Sequence, residues 1–326
     1  MEADNNHELI FSLLLDGKGG AVNYGWDEIN TWSPDKGTLW MHLSLPEDTE
    51  DGWIDKKSGI SENISEALLS RGDRPRLLKE EDKLFLSLRG VNFNPGEDPD
   101  DMVFLHIYME EKRIITIRHR KVLAVDNIKS SLEKNTGPKD SYEFLLEILM
   151  KISHRIGEIT QNIDDQIDEI EELVVDNADI KLRSVLSSLR RQAINIRRYL
   201  SPQREVLNNL GGIEISWFKR KEIYKIKELT EKYIRYLEDI DSARDRAAIT
   251  HEEINSIYSE QLNKTMYVLS IVATIFLPLG FLTGLLGINV GGIPGTDNSL
   301  AFLMVCIILI LLGVVELLIF KIKKWI

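Results

Sequence analysis

The distribution of apolar residues divides the chain into regions of different texture. Two stretches near the C-terminus, 266–286 and 300–320, are almost purely apolar, since the first has no charged residue and the second has only Glu316. Each has 21 residues, enough for a helix to cross a hydrocarbon core of roughly 30 Å. From Ser141 up to these stretches, apolar residues recur every three or four positions, as amphipathic helices require. The pattern predicts a long helical region followed by two transmembrane helices.

Residues 1–140 have a different pattern, with strand-like and helix-like segments mixed. Five runs rich in β-branched and aromatic residues predict strands: LIFSLLLD, TLWMHLSL, KLFLSLRGVNF, MVFLHIYME and RIITIRH. The segment ENISEALLSRG predicts a helix that ends at Gly72. We therefore expect a compact cytosolic α+β domain over 1–140, closed by the turn NTGPKD.

The region 141–265 is predicted to form a cytosolic helical stalk. Its first helix has a continuous apolar stripe, and its opposite face, 158–176, is rich in Asp and Glu. A second helix is expected over about 179–209, and a third from near Glu214 that meets no Pro or Gly before Pro278. At roughly 64 residues the third helix would be about 95 Å long and would continue into the first span. The remaining segment, 266–326, forms a transmembrane hairpin with a basic tail.

Charge gives the orientation expected in the membrane. The start, MEADNNHELIFSLLLDG, is acidic with a short apolar run, so we expect the N-terminal region to stay in the cytosol. Lys264 precedes the first span and Lys321, Lys323 and Lys324 follow the second, while the connecting loop has no Lys or Arg. The positive-inside rule places both termini in the cytoplasm. A net charge of −12 argues against nucleic acid as a partner and suits multivalent cations, although solubility explains it equally well.

Reactive side chains are few and give no enzymatic pattern. The single cysteine, Cys306, lies inside the second span and excludes an intrachain disulfide. The histidines show no metal-ligand spacing, and structural roles are favoured for all of them: His7, His42, His106, His119, His154 and His251. The chain has no P-loop, nucleophile elbow or HExxH motif. We therefore expect no enzyme and no bound cofactor.

Two transmembrane helices cannot enclose a pore, so conduction would require several copies around one axis. The long stalk would then bundle with its copies, although a dimeric coiled coil fits the same periodicity. One stripe of the first span consists of small or unbranched residues: Met266, Leu269, Ala273, Leu277, Gly280 and Gly284. Such a stripe favours close helix packing, and around an axis it would line a narrow channel. The span contains no His, Cys, Asp or Glu that would bind a metal tightly.

The loop after the first span resembles a family signature. Gly287-Ile288-Asn289, followed by VGGIPG, resembles the Gly-Met-Asn motif of CorA-type metal-ion transporters, in the variant of their zinc-transporting ZntB branch. The soluble segments RPRL, LRGVNFNPGEDPDDMV and RIITIRHRKVLAVDNI are similar to the same branch. The resemblance therefore covers nearly the whole chain.

This resemblance implies a homopentamer in an inner membrane, with a CorA-like cytosolic funnel. The first span would line the pore, with Met266 and Leu269 at a constriction, and Asn289 would contribute to a ring of amides at the outer mouth. The rest of the mouth would be the loop residues Gly291, Gly292, Pro294 and Asp297. Asp297 would attract cations, or is a solvated turn residue. The cargo implied is a divalent cation, zinc above others, with or without coupling to protons.

Several alternatives stay open. A magnesium channel of the CorA type disagrees with Ile288 in the triplet and with Leu286, where a tyrosine would stand. A membrane-anchored coiled-coil signalling or scaffold protein would need no pore at all. The acidic helix 158–176 is either a regulatory metal site or a solvated face. For Glu316, pairing with a lysine is favoured over proton coupling.

Overall fold

The structure, a computed structural model, describes residues 9–45, 53–54, 58–71, 74–176, 179–288, 290, 293, 295 and 298–323. The chain forms two compact units, Met1–Glu252 and Glu253–Ile326. The predicted boundaries at 140 and 265 are a finer division and stay predictions.

A mixed sheet of seven strands forms within the described part of the first unit. The strands are β1 Leu9–Leu15, β2 Ala21–Asn23, β3 Thr38–Ser44, β4 Arg76–Glu80, β5 Lys83–Gly90, β6 Val103–Met109 and β7 Arg113–Arg118. Their order is β2-β1-β3-β7-β6-β5-β4, with β3 and β7 parallel and the other pairs antiparallel. The five predicted strands are confirmed. The other two were missed because β2 has three residues and β4, RLLKE, lacks β-branched and aromatic residues.

Helices flank the sheet and make up the rest of the described chain. They are α1 Trp26–Asn30, α2 Glu62–Leu69, α3 Leu123–Glu133, α4 Ser141–Asp176, α5 Leu182–Leu210, α6 Ile223–Leu286 and α7 Ala301–Ile322. The prediction for α2 is wrong at its end, because Ser70 has extended backbone (φ −65°, ψ 146°) and stops the helix at Leu69. Gly72, the predicted end, lies outside the described residues. Neither α1 nor α3 was predicted.

The prediction that the third stalk helix starts near Glu214 is also wrong. The helix starts at Ile223, after a 3-10 turn over Arg220–Glu222. The preceding loop docks instead on the turn between β4 and β5, where the Ser216 N–H donates to Asp82 Oδ1 (2.9 Å) and the Trp217 indole N–H donates to the Asp82 carbonyl (2.9 Å). Because the loop makes these bonds, it does not add turns to α6.

The two faces of the sheet pack against different elements. Along β3, Leu39 and Met41 lie on one face, in a cluster with residues of α2, because strand side chains alternate. Trp40 lies on the other face, where its ring meets that of Phe144 in α4 at 4.7 Å, edge to face. His42 shares this face, is 1% exposed and bonds Thr116 through Nδ1 (2.8 Å). Burial, together with the positive charge of Arg118, lowers the pKa of His42 to about 3.

Helices α4, α5 and the first part of α6 form a bundle in which the predicted apolar stripe is buried. The stripe of α4 comprises Ile156, Ile159, Ile163, Ile167, Ile170 and Val174. Leu186, Leu189 and Ile196 of α5 are buried as well. α4 and α6 approach closely at Gly157, where a Cβ atom would lie 2.7 Å from the Tyr236 hydroxyl oxygen. The bundle is therefore held by the apolar face that the sequence predicts.

A buried amide connects the bundle to the sheet. Gln203 of α5 accepts a hydrogen bond from the Arg89 N–H of β5 (2.6 Å) and donates to the Arg89 carbonyl (3.1 Å). Its Nε2 also lies 2.8 Å from the hydroxyl of Tyr233 in α6. Buried polar groups need such partners, because leaving one unpaired costs about 1–3 kcal/mol. Gln203 thus joins strand β5, helix α5 and helix α6 at one point.

Candidate ion-conducting helix

Two helices are long and apolar enough to cross a membrane: the one that ends at Leu286, and α7. Their apolar side chains are exposed in the single chain, with Leu277 71% exposed and Phe302 81% exposed. An apolar surface of this extent requires lipid or other protein to cover it. The predicted spans 266–286 and 300–320 lie within these two helices, apart from Leu300, the N-cap of α7.

The continuous α6 helix brings the six predicted pore-lining residues into one stripe. Successive helical residues are rotated by about 100°, so these six fall within an arc of about 80°: Met266, Leu269, Ala273, Leu277, Gly280 and Gly284. All six are exposed in the single chain. The stripe is therefore available to a partner helix or to a permeating ion.

Two glycines of this stripe have no packing role within one chain. A Cβ atom built on Gly280 or Gly284 meets no described heavy atom within 4 Å. Glycine in a helix interior costs about 1 kcal/mol relative to alanine. The advantage of glycine at these two positions must therefore come from a contact outside the single chain.

Hydroxyl groups of the span are hydrogen-bonded to its own backbone. Ser270 donates to the Met266 carbonyl (2.8 Å), Thr274 to the Ser270 carbonyl (2.7 Å) and Thr283 to the Leu279 carbonyl (2.9 Å). These bonds use the hydroxyl protons and leave oxygen lone pairs free to accept. Pro278, inside the helix, has no N–H for the carbonyl four residues earlier. The span therefore offers neutral oxygen atoms in place of fixed charges.

The signature triplet starts where α6 ends. The Gly287 N–H donates to the carbonyls of Thr283 (2.9 Å) and Gly284 (3.2 Å), which closes the last turn. Ile288 follows and is exposed. The remaining predicted mouth residues lie outside the described residues: Asn289, Gly291, Gly292, Pro294 and Asp297. Their roles stay predictions.

Strong metal ligands are not grouped in the described chain. Over the residues that the structure describes, no group of three or more His, Cys, Asp or Glu side chains could hold a metal ion. The buried His42 and His106 belong to the sheet, since their Nδ1 atoms bond Thr116 and the Leu68 carbonyl. An ion that passes along the first span meets thioether, hydroxyl and backbone oxygen groups, which suit a partly hydrated cation better than a stripped one.

The acidic face of α4 is partly neutralised by one arginine that sequence analysis missed. Arg246 of α6 pairs with Asp164 (2.8 Å), Asp168 and Glu171 (2.6 Å). These carboxylates raise the pKa of Arg246 above its already high value. The sequence signal for this contact is that Arg246 shares a helix face with the buried Thr250. At these positions the acidic helix forms an ion-pair cluster.

Glu316 lies in α7, and its Oε2 is buried without a hydrogen-bond partner among the described residues. No ion pair with Lys321 forms within the described part of α7. Lys324 lies outside that part, so pairing of Glu316 with a lysine stays a prediction.

Comparison with known proteins identifies the family. The family model described as "CorA-like Mg2+ transporter protein" matches residues 35–324. The chain belongs to the CorA family. This membership makes it a divalent cation transporter with two C-terminal membrane-spanning helices, in a family that is not enzymatic. The predicted family, transporter class and absence of enzymatic activity are confirmed.

Two curated CorA-family relatives match over almost their full length. "Zinc transport protein ZntB" of Yersinia enterocolitica is 33% identical over 305 residues, which cover 94% of this chain and 92% of the relative. "Divalent cation transporter CmaX" of Pseudomonas aeruginosa is 34% identical over 328 residues, which cover 99% of this chain and 98% of the relative.

Solved structures confirm the predicted CorA-like fold. The full-length CmaX structure superposes with a TM-score of 0.84 and covers 100% of both chains at 34% identity. The complete CorA magnesium transporter from Methanocaldococcus jannaschii has a TM-score of 0.79 at 21% identity, covering 98% of this chain and 100% of that one. An α+β domain, a long helix and two apolar C-terminal helices are common to this CorA-family architecture.

Proposed function

We propose that this CorA-family chain assembles as a homopentamer and conducts a divalent cation, zinc, along the stripe of α6 from Met266 to Gly284. The observation that carries the proposal is the one-sided stripe itself. It is exposed, free of charge, and includes two glycines that single-chain packing does not require. Five copies arranged around an axis would turn this stripe inward, and α7 would form the outer ring.

Zinc is proposed as the cargo because the ZntB relative is named a zinc transport protein and because Ile288 replaces the methionine of the magnesium-type triplet. The second candidate is magnesium, which the description of the matching family model names. Neutral oxygen ligands select mainly by the size and charge of the hydrated ion, so flux measurement must decide between the two metals.

At the outer mouth, five copies of Asn289 would present amide oxygens that orient the water around an entering cation. Gly291, Gly292 and Pro294 would let five short loops converge, and five copies of Asp297 would raise the local cation concentration. Both termini would lie in the cytoplasm of a cell with an inner membrane. Lys321 and Lys323 would then face the cytoplasmic lipid headgroups.

The test is metal flux into proteoliposomes that contain the full-length protein, with zinc and magnesium assayed in parallel. Asn289→Ala should remove most of the zinc flux. Asn298→Ala is the matched control, because the Asn298 amide oxygen already accepts the Leu300 N–H (2.9 Å) and caps α7 within the chain. Zinc flux that is equal in the two variants would contradict the role of Asn289. Magnesium flux without zinc flux would assign the other cargo, and no flux of either ion would favour a scaffold.

Proton coupling is tested in the same vesicles. With coupling, an imposed pH gradient drives zinc accumulation beyond the level reached without the gradient, and a protonophore abolishes the difference. Without coupling, the final zinc level is the same under both conditions and follows the zinc gradient alone.

A further inference from the structure

The outward face of α4 carries a regular stripe of carboxylates. Glu158, Asp165 and Glu172 lie seven residues apart and are exposed, with Glu169 beside them. Glu158 pairs with Arg155 (2.7 Å). Asp165, Glu169 and Glu172 make no ion pair with any described residue, and they lie away from the Asp164, Asp168 and Glu171 side that Arg246 occupies. Three carboxylates of α4 are thus exposed without a counter-ion.

The neighbouring helix α5 carries a matching stripe of arginines. Arg183, Arg190, Arg197 and Arg204 also lie seven residues apart, and a seven-residue repeat drifts only about 20° per repeat on a straight helix. Arg197 pairs with Asp241 (2.6 Å) of α6, whereas Arg190 is exposed and makes no ion pair with any described residue. Ile194, 47% exposed, lies within this stripe and adds an apolar contact point.

The two stripes match in height. α4 and α5 contact each other and are joined by the short connection 177–181, so they run antiparallel. Counted from the middle of this connection, Asp165 and Arg190 are equally distant, and so are Glu172 and Arg183. Both helices also pair with one short stretch of α6, α4 through Arg246 and α5 through Asp241. No ion pair joins α4 to α5 within the described chain, so these charges are not satisfied by each other.

We propose that the arginine stripe on α5 of one copy docks on the carboxylate stripe on α4 of a second copy, with Arg190 opposite Asp165 and Arg183 opposite Glu172. Rotation about an axis parallel to the helices preserves height, so both pairs align in one docking without any shift along the helices. Because the two stripes are different surfaces, the contact is heterologous and closes into a ring. Repeated charge pairs fix register and partner choice more than affinity. This surface rests on the proposed oligomer and defines how its cytosolic part is assembled.

Cross-linking of the full-length protein tests the pairing. In a Cys306→Ala background, Asp165→Cys and Arg190→Cys are placed in separate copies with different affinity tags, co-expressed, and treated with a short bis-maleimide. The expected result is a mixed dimer. The control combines Asp165→Cys with Arg204→Cys, which lies 14 residues further along α5, about 21 Å away, and should give none. No mixed dimer at 165 and 190, or equal yield from the control, overturns the proposal.

Charge exchange gives a second test that does not depend on a reagent. Arg190→Asp alone and Asp165→Arg alone should each reduce the yield of oligomer on size exclusion at moderate salt, and the two combined in one chain should restore it. Failure of the combined variant to restore the oligomer, or binding of the arginine stripe to anionic vesicles in place of a second copy, overturns the interface. Zinc flux is measured on the same samples, because flux that persists without this cross-link leaves the pore proposal standing.

Discussion

At the residue scale, the first span contains side chains whose choice the single chain does not explain. Gly280 and Gly284 each leave open space where a Cβ atom would be, as judged from the described atoms, and each weakens the helix by about 1 kcal/mol relative to alanine. A stripe that small residues keep narrow is needed only when several helices, or an ion, approach it.

Substitution of Gly284 by leucine should therefore affect flux far more than folding. Filling the stripe by an isobutyl group in every copy raises the barrier to permeation, and each 1.4 kcal/mol of barrier lowers the rate about tenfold. The matched control is Gly313→Leu in α7, since a Cβ atom at Gly313 also meets no described atom within 4 Å. We expect zinc flux to fall about tenfold or more in the first variant and little in the second. Equal loss in both would show that the two glycines serve the same packing purpose.

His42 supplies a second prediction at this scale, in the dependence of stability on pH. The imidazole is buried, and its pKa of about 3 lies below the usual value of about 6.5. As pH falls below about 6.5, the unfolded chain binds a proton that the folded chain does not. The stabilising contribution is thus complete above pH 6.5 and is lost as pH falls toward 3, by at most about 1.4 kcal/mol per pH unit.

The measurement is the free energy of unfolding of the first unit in the full-length protein, between pH 7 and pH 5. His42→Phe should give a shallower slope than the unmodified protein, whatever its absolute stability. His154→Gln is the control, because the His154 side chain is 74% exposed and should leave the slope unchanged. A slope that His42→Phe does not alter would assign the pH dependence to other groups.

At the scale of elements, periodicity predicts what a single helix or strand determines by itself. The five long strands and the stripe of α4 follow from local composition, because their apolar residues match one buried face. The start of α6 does not follow, because Asp82, more than a hundred residues earlier, binds Ser216 and Trp217. Likewise, the Arg246 cluster needs α4 and α6 to be adjacent, which neither helix's sequence states.

Arg246→Ala should loosen the contact between α4 and α6. It removes one guanidinium from three carboxylates and leaves these close together, so we expect a loss of roughly 1–2 kcal/mol in the free energy of unfolding. Arg244→Ala is the matched control in the same helix, because Arg244 pairs only with Asp241 and Asp245 of α6 itself within the described chain. Faster amide hydrogen exchange over α4 in the Arg246 variant alone would support the cluster. Equal exchange in both variants would contradict it.

At the scale of the whole molecule, family and class follow from sequence, whereas the conducting geometry does not. The two spans and the triplet Gly287-Ile288-Asn289 were sufficient to place the chain in the CorA family, which the comparisons confirm. The six-residue stripe lies on one face of α6 as its spacing predicts. A pore, however, is a property of several copies, and one chain's sequence carries only the face that each copy contributes.

The central claim is that this stripe faces the ion path, and accessibility of single cysteines tests it most directly. In full-length protein with Cys306→Ala, zinc flux into proteoliposomes is measured before and after treatment with a charged, membrane-impermeant thiol reagent. Ala273→Cys lies on the stripe, while Ile275→Cys lies about 200° around the same helix. The account predicts that the reagent stops flux through Ala273→Cys and spares Ile275→Cys. Equal sensitivity of the two variants, or block of Ile275→Cys alone, would contradict it.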